Sequence, residues 1–232
     1  MISPSQAPRG SFCARLTNHN ERVASAGSNY TRPVSALVRH SVRVSQGCLA
    51  LFSAICIALH PGFVLKWNEG GFSNYGIHLK TAIPYSIAFL GCALYAARAA
   101  RALAGMRTSA RHFSLLLYVY SALMLCTLLS TYGYTLNHPL KNVHTVVGIA
   151  TMLFEPLAAG WMYTRLERTA WTRTLIVLEL AGLALGVIDY LVILHVLFLA
   201  QVLTAFAFGA LLVRAAGHLD ELGSHATYVF SE

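Results

Sequence analysis

The chain alternates between long stretches without a charged side chain and short stretches rich in them. Residues 44–65, 81–97 and 112–140 contain no Asp, Glu, Lys or Arg. Residues 142–164 contain only Glu155, and 174–213 contain only Glu179 and Asp189. A spanning helix needs about 20 mainly apolar residues to cross ~30 Å of hydrocarbon at ~1.5 Å per residue. The first four gaps therefore predict one helix each. The last gap would make a rod of about 60 Å, twice the membrane. It predicts two helices joined by a tight turn between Asp189 and His195. The expected spans are 46–65, 81–99, 113–133, 143–163, 173–190 and 194–213. A closed β-barrel, the other spanning solution, would alternate apolar and polar positions over segments of roughly ten residues. Runs such as Leu115-Leu116-Leu117 and Leu175-Ile176-Val177-Leu178 do not alternate. The fold class expected is an all-α, six-helix transmembrane bundle.

Composition narrows the class further. Hydrophobic residues make up 56% of the 232 and charged residues 11%, where a soluble domain carries about 25% charged. This excludes a soluble globular domain, a disordered chain and a disulfide-stapled module. The net charge of +8 is foremost a topology signal. Arg9, Arg15, Arg22, Arg32, Arg39, Arg43, Arg98, Arg101, Arg107, Arg111, Arg165, Arg168, Arg173 and Arg214 fall on the side of the two tails and even-numbered connections. Lys66, Lys80 and Lys141 fall on the other. Cytoplasmic loops carry the excess of Lys and Arg, so both termini are expected inside. The arginines are dispersed along the span ends, which argues against nucleic-acid binding and fits contact with anionic lipid. Trp67, Tyr75, Tyr132, Tyr134 and Tyr190 near the outer ends, with Trp161, Tyr163 and Trp171 near the inner ends, fit interfacial belts.

Three domains follow: a flexible basic tail over 1–42, a transmembrane domain over 43–215 and a short tail over 216–232. Residues 1–42 hold seven Ser, five Arg and one acidic residue, Glu21. That composition fits a cytoplasmic tail, a transit peptide, or residues upstream of the natural start. A bacterial plasma membrane is the expected location, with an organellar membrane after transit-peptide removal as the alternative. Cys13, Cys48, Cys56, Cys92 and Cys126 show no metal-ligand spacing and read as small packing residues.

Chemistry is sought where the membrane tolerates polar groups least. Ionisable residues inside a bilayer are costly and mark functional candidates. Glu155 and Glu179 lie at similar depth, so the two carboxyls can meet if their spans are neighbours and then share a proton. A hydrogen-bonded packing pair is the plain alternative. Pro156 removes one helical hydrogen bond beside Glu155 and is expected to kink the span. Gly182 and Gly186 give a small-xxx-small face for close helix packing, within the bundle or against a protein partner or second copy.

The outer side gathers five of the ten histidines: His60, His78, His138, His144 and His195. Asn68, Glu69, Asn74, Tyr75, Asn137 and Asp189 map there too. Three readings stand: a headgroup-level site for a membrane lipid, a metal site for hydrolysis, or polar groups that satisfy one another. Metal spacing is poor, since His138 and His144 are six residues apart and do not share a helix face. No metal, haem or other cofactor is assigned, and no catalytic residue. No Gly-x-Ser-x-Gly elbow appears, and residues 44–111 do not repeat in 112–214 as many transporters would require.

The stretch Asn68 to Gly76 (NEGGFSNYG), followed by Thr81 to Tyr85 (TAIPY), resembles the DUF998 group of six-span membrane proteins and the wider Frag1/DRAM-like set. His144 stands where those proteins open span four with a His. The resemblance covers the layout of residues 46–214. It implies a six-helix bundle with both ends inside and, through relatives associated with lipid remodelling, contact with lipid. The expected function is a lipid-interacting membrane protein with an outward-facing polar mouth. A metal-dependent membrane hydrolase and an accessory subunit of a membrane complex are the alternatives.

Overall fold

A computed structural model describes residues 11–65, 71–106, 108–133, 138–192 and 196–219. Among these residues the protein is helical throughout, with no strand. In chain order come α1 (Ser11–Leu59), the short α2 (Gly62–Leu65), a 3-10 turn (Gly71–Ser73), the short α3 (Asn74–Ile77), α4 (Ala82–Leu103), α5 (Thr108–Gly133), α6 (His138–Tyr163), α7 (Ala170–Val192) and α8 (Leu197–Gly217). Six helical stretches are long and apolar enough to cross a membrane: Val34–Leu59, Ala82–Leu103, Ala110–Gly133, Asn142–Tyr163, Ala170–Leu191 and Leu197–Gly217. The chain is thus an all-α, six-helix integral membrane protein.

Five of the six spans start and stop within a few residues of the hydrophobic pattern. The first does not. Its apolar helix begins at Val34 and ends at Leu59, where 46–65 is expected. Arg39 and Arg43 lie in this helix but on its exposed face, while Val38, Ser41, Val42 and Ser45 are buried. Long arginine side chains carry their charge away from an apolar surface, so a charge-free window starts too late. The end is set by backbone chemistry. Pro61 disfavours helical geometry at His60 and has no N–H to give. α1 also reaches back to Ser11, through much of the segment whose composition fits a tail.

The helices form a closed circuit: α1 on α4, α4 on α5, α5 on α6, α6 on α7, α7 on α8, and α8 back on α1, with α6 also touching α8. Close approach is bought by small residues. The buried stripe of α4 includes Ala88, Ala93, Ala96, Ala99 and Ala100, and a Cβ on Gly91 would stand 3.1 Å from Cys48 of α1. Buried Ser45 donates to the Cys92 carbonyl at 2.8 Å, Ser114 to Ala100 at 2.7 Å and Ser121 to Ala93 at 2.8 Å. Side-chain donors bridging helices in this way have no water to prefer.

Gly182 and Gly186 are occupied within the chain. A Cβ on Gly182 would lie 3.0 Å from the Ala200 carbonyl oxygen and the Thr204 nitrogen of α8, and one on Gly186 would collide with the Met152 side chain of α6. Large apolar residues point outward instead, among them Leu51, Ile83, Leu115, Leu129, Leu157 and Val177. In water each would forfeit roughly 1.5–3 kcal/mol; against lipid tails they cost nothing.

Six spans bring the start of the α1 apolar segment and the end of α8 to one end of the bundle. The 3-10 turn, α3, the start of α6 and the α7–α8 turn occupy the far end. At the near end Arg165 sits over the Trp161 ring at 4.7 Å and Arg168 over Tyr163 at 5.7 Å.

Candidate functional site

The loop between α1 and α4 is seated in the far end of the bundle. Gly71 has φ 58°, a conformation glycine takes without strain. A Cβ there would also stand 2.5 Å from Gln201 Oε1 of α8. The next residue, Phe72, donates its backbone N–H to that same oxygen at 2.7 Å. The Phe72 ring lies 5.2 Å from Tyr75, 5.6 Å from Tyr85 and 6.1 Å from Phe89 and Phe198. Gly76 fits against Thr131 and Tyr85, where a Cβ would approach within 2.5 Å and 2.7 Å. Thr81 closes the loop by donating to the Tyr75 carbonyl at 2.6 Å.

This seated loop divides the expected mouth into two centres. The first lies beside the end of α1. The His60 and His78 rings meet edge to face, 4.4 Å between centroids. Tyr75 is fully buried and donates its hydroxyl to the His60 carbonyl at 3.3 Å. Burial, with a smaller push from Cys56, raises the Tyr75 phenol above its ordinary range, so it stays a neutral donor.

The second centre is a cavity of about 470 Å³ between α6, α7 and α8, closed on one side by the seated loop. Its walls include Ile149, Leu153, Leu183 and Val187, and Ser73, Asn74, His144 and Asp189 also line it. His144 ties the loop to the bundle. Its Nε2 lies 2.8 Å from Ser73 Oγ and its Nδ1 lies 3.0 Å from Ser130 Oγ of α5. Asp189 accepts the Val196 backbone N–H at 2.7 Å, so it holds the α7–α8 turn and satisfies a donor at the start of α8. Leu153, Val187, Tyr190 and Leu191 line the cavity and are exposed on the outside of the bundle. The cavity therefore opens sideways, between α6 and α7.

The sequence-derived candidates separate accordingly. Asn74, His144 and Asp189 meet at the cavity; His60, Tyr75 and His78 meet beside α1 and do not line it. Asn68, Glu69 and His195 lie outside the described residues, and of His138 only its place at the start of α6 is described. Glu155 and Glu179 are buried deeper in the bundle. Among the described residues no three His, Cys, Asp or Glu side chains come together as metal ligands.

Ser73, Thr131 and Gln201 line the cavity end, with Ser130 behind them on His144, and none carries a charge or an imidazole. Gln201 carried a usable signal: it is the sole amide side chain in the apolar run of α8. Compared with known proteins, the chain matches no family model, no curated protein and no solved structure.

Proposed function

We propose that this membrane protein binds a lipid or a similar single-chain amphiphile in the cavity between α6 and α7. The observation that carries the reading is the distribution of chemistry around that space. Ile149, Leu153, Leu183 and Val187 offer an apolar wall, while Ser73, Asn74 and Asp189 supply polar groups at the far end of the bundle. A volume of about 470 Å³ falls within the ~300–1,000 Å³ of ordinary ligand sites. The lateral opening faces hydrocarbon, so an acyl chain can enter without crossing water. The excess of arginine at the near end supports an orientation with the cavity in the outer leaflet. The likeness of the first loop to DUF998 and Frag1/DRAM-like proteins points the same way.

His144 acts here as a positioning residue. Both ring nitrogens are engaged by serines, so it holds the loop that closes the cavity and leaves lipid contact to its neighbours.

Native mass spectrometry of the detergent-purified protein tests the reading. Gly148 lines the cavity, and a Cβ there meets nothing within 4 Å. Gly148→Phe fills the space from a helix that tolerates the side chain. Wild type is expected to retain a lipid through mild activation, and Gly148→Phe to lose it. Gly160→Phe, on the same helix and also in open space, is expected to retain it. Equal retention by all three, or none by wild type, overturns the reading.

A further inference from the structure

Two carboxyls lie below the cavity, in an arrangement that neither lipid binding nor packing uses. Glu155 of α6 is 5% exposed and Glu179 of α7 is 1% exposed. Neither oxygen of Glu179 has a hydrogen-bond partner among the described residues. The groups that act on the pair are Thr204 on Glu155, and Glu155 with the Phe208 backbone on Glu179. From the neighbouring helices, Tyr120 of α5 and Cys92 of α4 lie within reach of the Glu155 charge. No lysine, arginine or histidine is among them.

The spacing along the helices forms a descending series. Met152 and Leu183 line the cavity. Glu155 lies three residues below Met152 on α6, about 4.5 Å along the axis. Glu179 lies four residues below Leu183 on α7, about 6 Å along the axis. On α8 the partners repeat the order, with Thr204 beside Glu155 and Phe208 one turn deeper beside Glu179. Pro156 has no N–H, so the Met152 carbonyl, at the step between cavity and Glu155, is released from its helical bond.

From this geometry we infer that Glu155 and Glu179 form an intramembrane proton-binding pair reached from the cavity floor. A carboxylate with no cation beside it, and in the case of Glu179 no hydrogen-bond donor on either oxygen, is costly in an apolar interior, and taking up a proton removes that cost. Two carboxyls in each other's field disfavour ionising together. A metal ion is the poorer occupant, because hard cations need six or more oxygens, and among the described residues no third His, Cys, Asp or Glu side chain joins the two carboxyls. The inference is independent of the lipid reading: the pair binds a proton whether or not an amphiphile fills the space above.

Infrared spectroscopy of the full chain in lipid nanodiscs reads the protonation directly. Gln is the neutral isostere of a protonated Glu, so E155Q, E179Q and the double variant are compatible with the fold. At neutral pH wild type is expected to show the carbonyl stretch of a protonated carboxylic acid, shifting in D2O. E155Q is expected to keep a band from Glu179, and E155Q/E179Q to lose it. Coincident wild-type and double-variant spectra in this region would overturn the inference, as would a wild-type spectrum with carboxylate bands alone. Folding of each variant is checked by its amide band, which is expected to match wild type.

Discussion

Gly71 shows what single residues contribute at the far end. Its left-handed φ turns the loop back onto the bundle, and its missing Cβ makes room for the Gln201 side chain that receives Phe72 N–H. Gly71→Ala therefore meets two penalties, a backbone conformation that costs about 1–3 kcal/mol for a non-glycine residue and a clash with Gln201. Thermal unfolding in detergent is expected to show a lower midpoint for Gly71→Ala and none for Gly47→Ala, whose Cβ meets open space. An unchanged midpoint for Gly71→Ala would mean the loop is not seated as described. The segment Asn68 to Gly76 carries Gly70, Gly71 and Gly76, residues that permit tight turns. The acceptor that makes Gly71 necessary is 130 residues away on α8 and carries no charge, so a reading built on charge passes over it.

The helices themselves were the most legible part, because hydrocarbon thickness and helical rise leave few options for an apolar run. Asp189 marked the turn between α7 and α8, and the structure adds its function there, accepting Val196 N–H. Span one was shifted because charge-free length says nothing about which face of a helix bears the charge. By sequence alone Gly182 and Gly186 suit an internal or an external partner equally. They pack α7 against α8 and α6 of the same chain. Gly182→Leu is expected to force α7 away from α8 at a cost of about 1–3 kcal/mol, typical of overpacking. A urea or heat titration in detergent reads this as lost stability. Unchanged stability would show that the α7–α8 contact is loose.

At the scale of the whole molecule, the circuit of helices places a lateral cavity above a pair of buried carboxyls. The sequence brought the outer polar groups to one surface but could not tell that the seated loop divides them. His60, Tyr75 and His78 went to one side of it, and Asn74, His144 and Asp189 to the other. That division depends on side-chain packing over long sequence separations, such as Phe72 on Phe198 and Gly76 on Thr131. The cavity is the feature that distinguishes a lipid-binding protein from one merely surrounded by lipid. Photo-crosslinking in vesicles separates the two, using a phospholipid with a photoactivatable group on its acyl chain. Adducts are expected to concentrate on the cavity wall at Ile149, Leu153, Leu183 and Val187 and to fall in Gly148→Phe. Adducts spread evenly over outward-facing positions such as Leu90, Leu115 and Val177, unchanged by Gly148→Phe, would contradict the account.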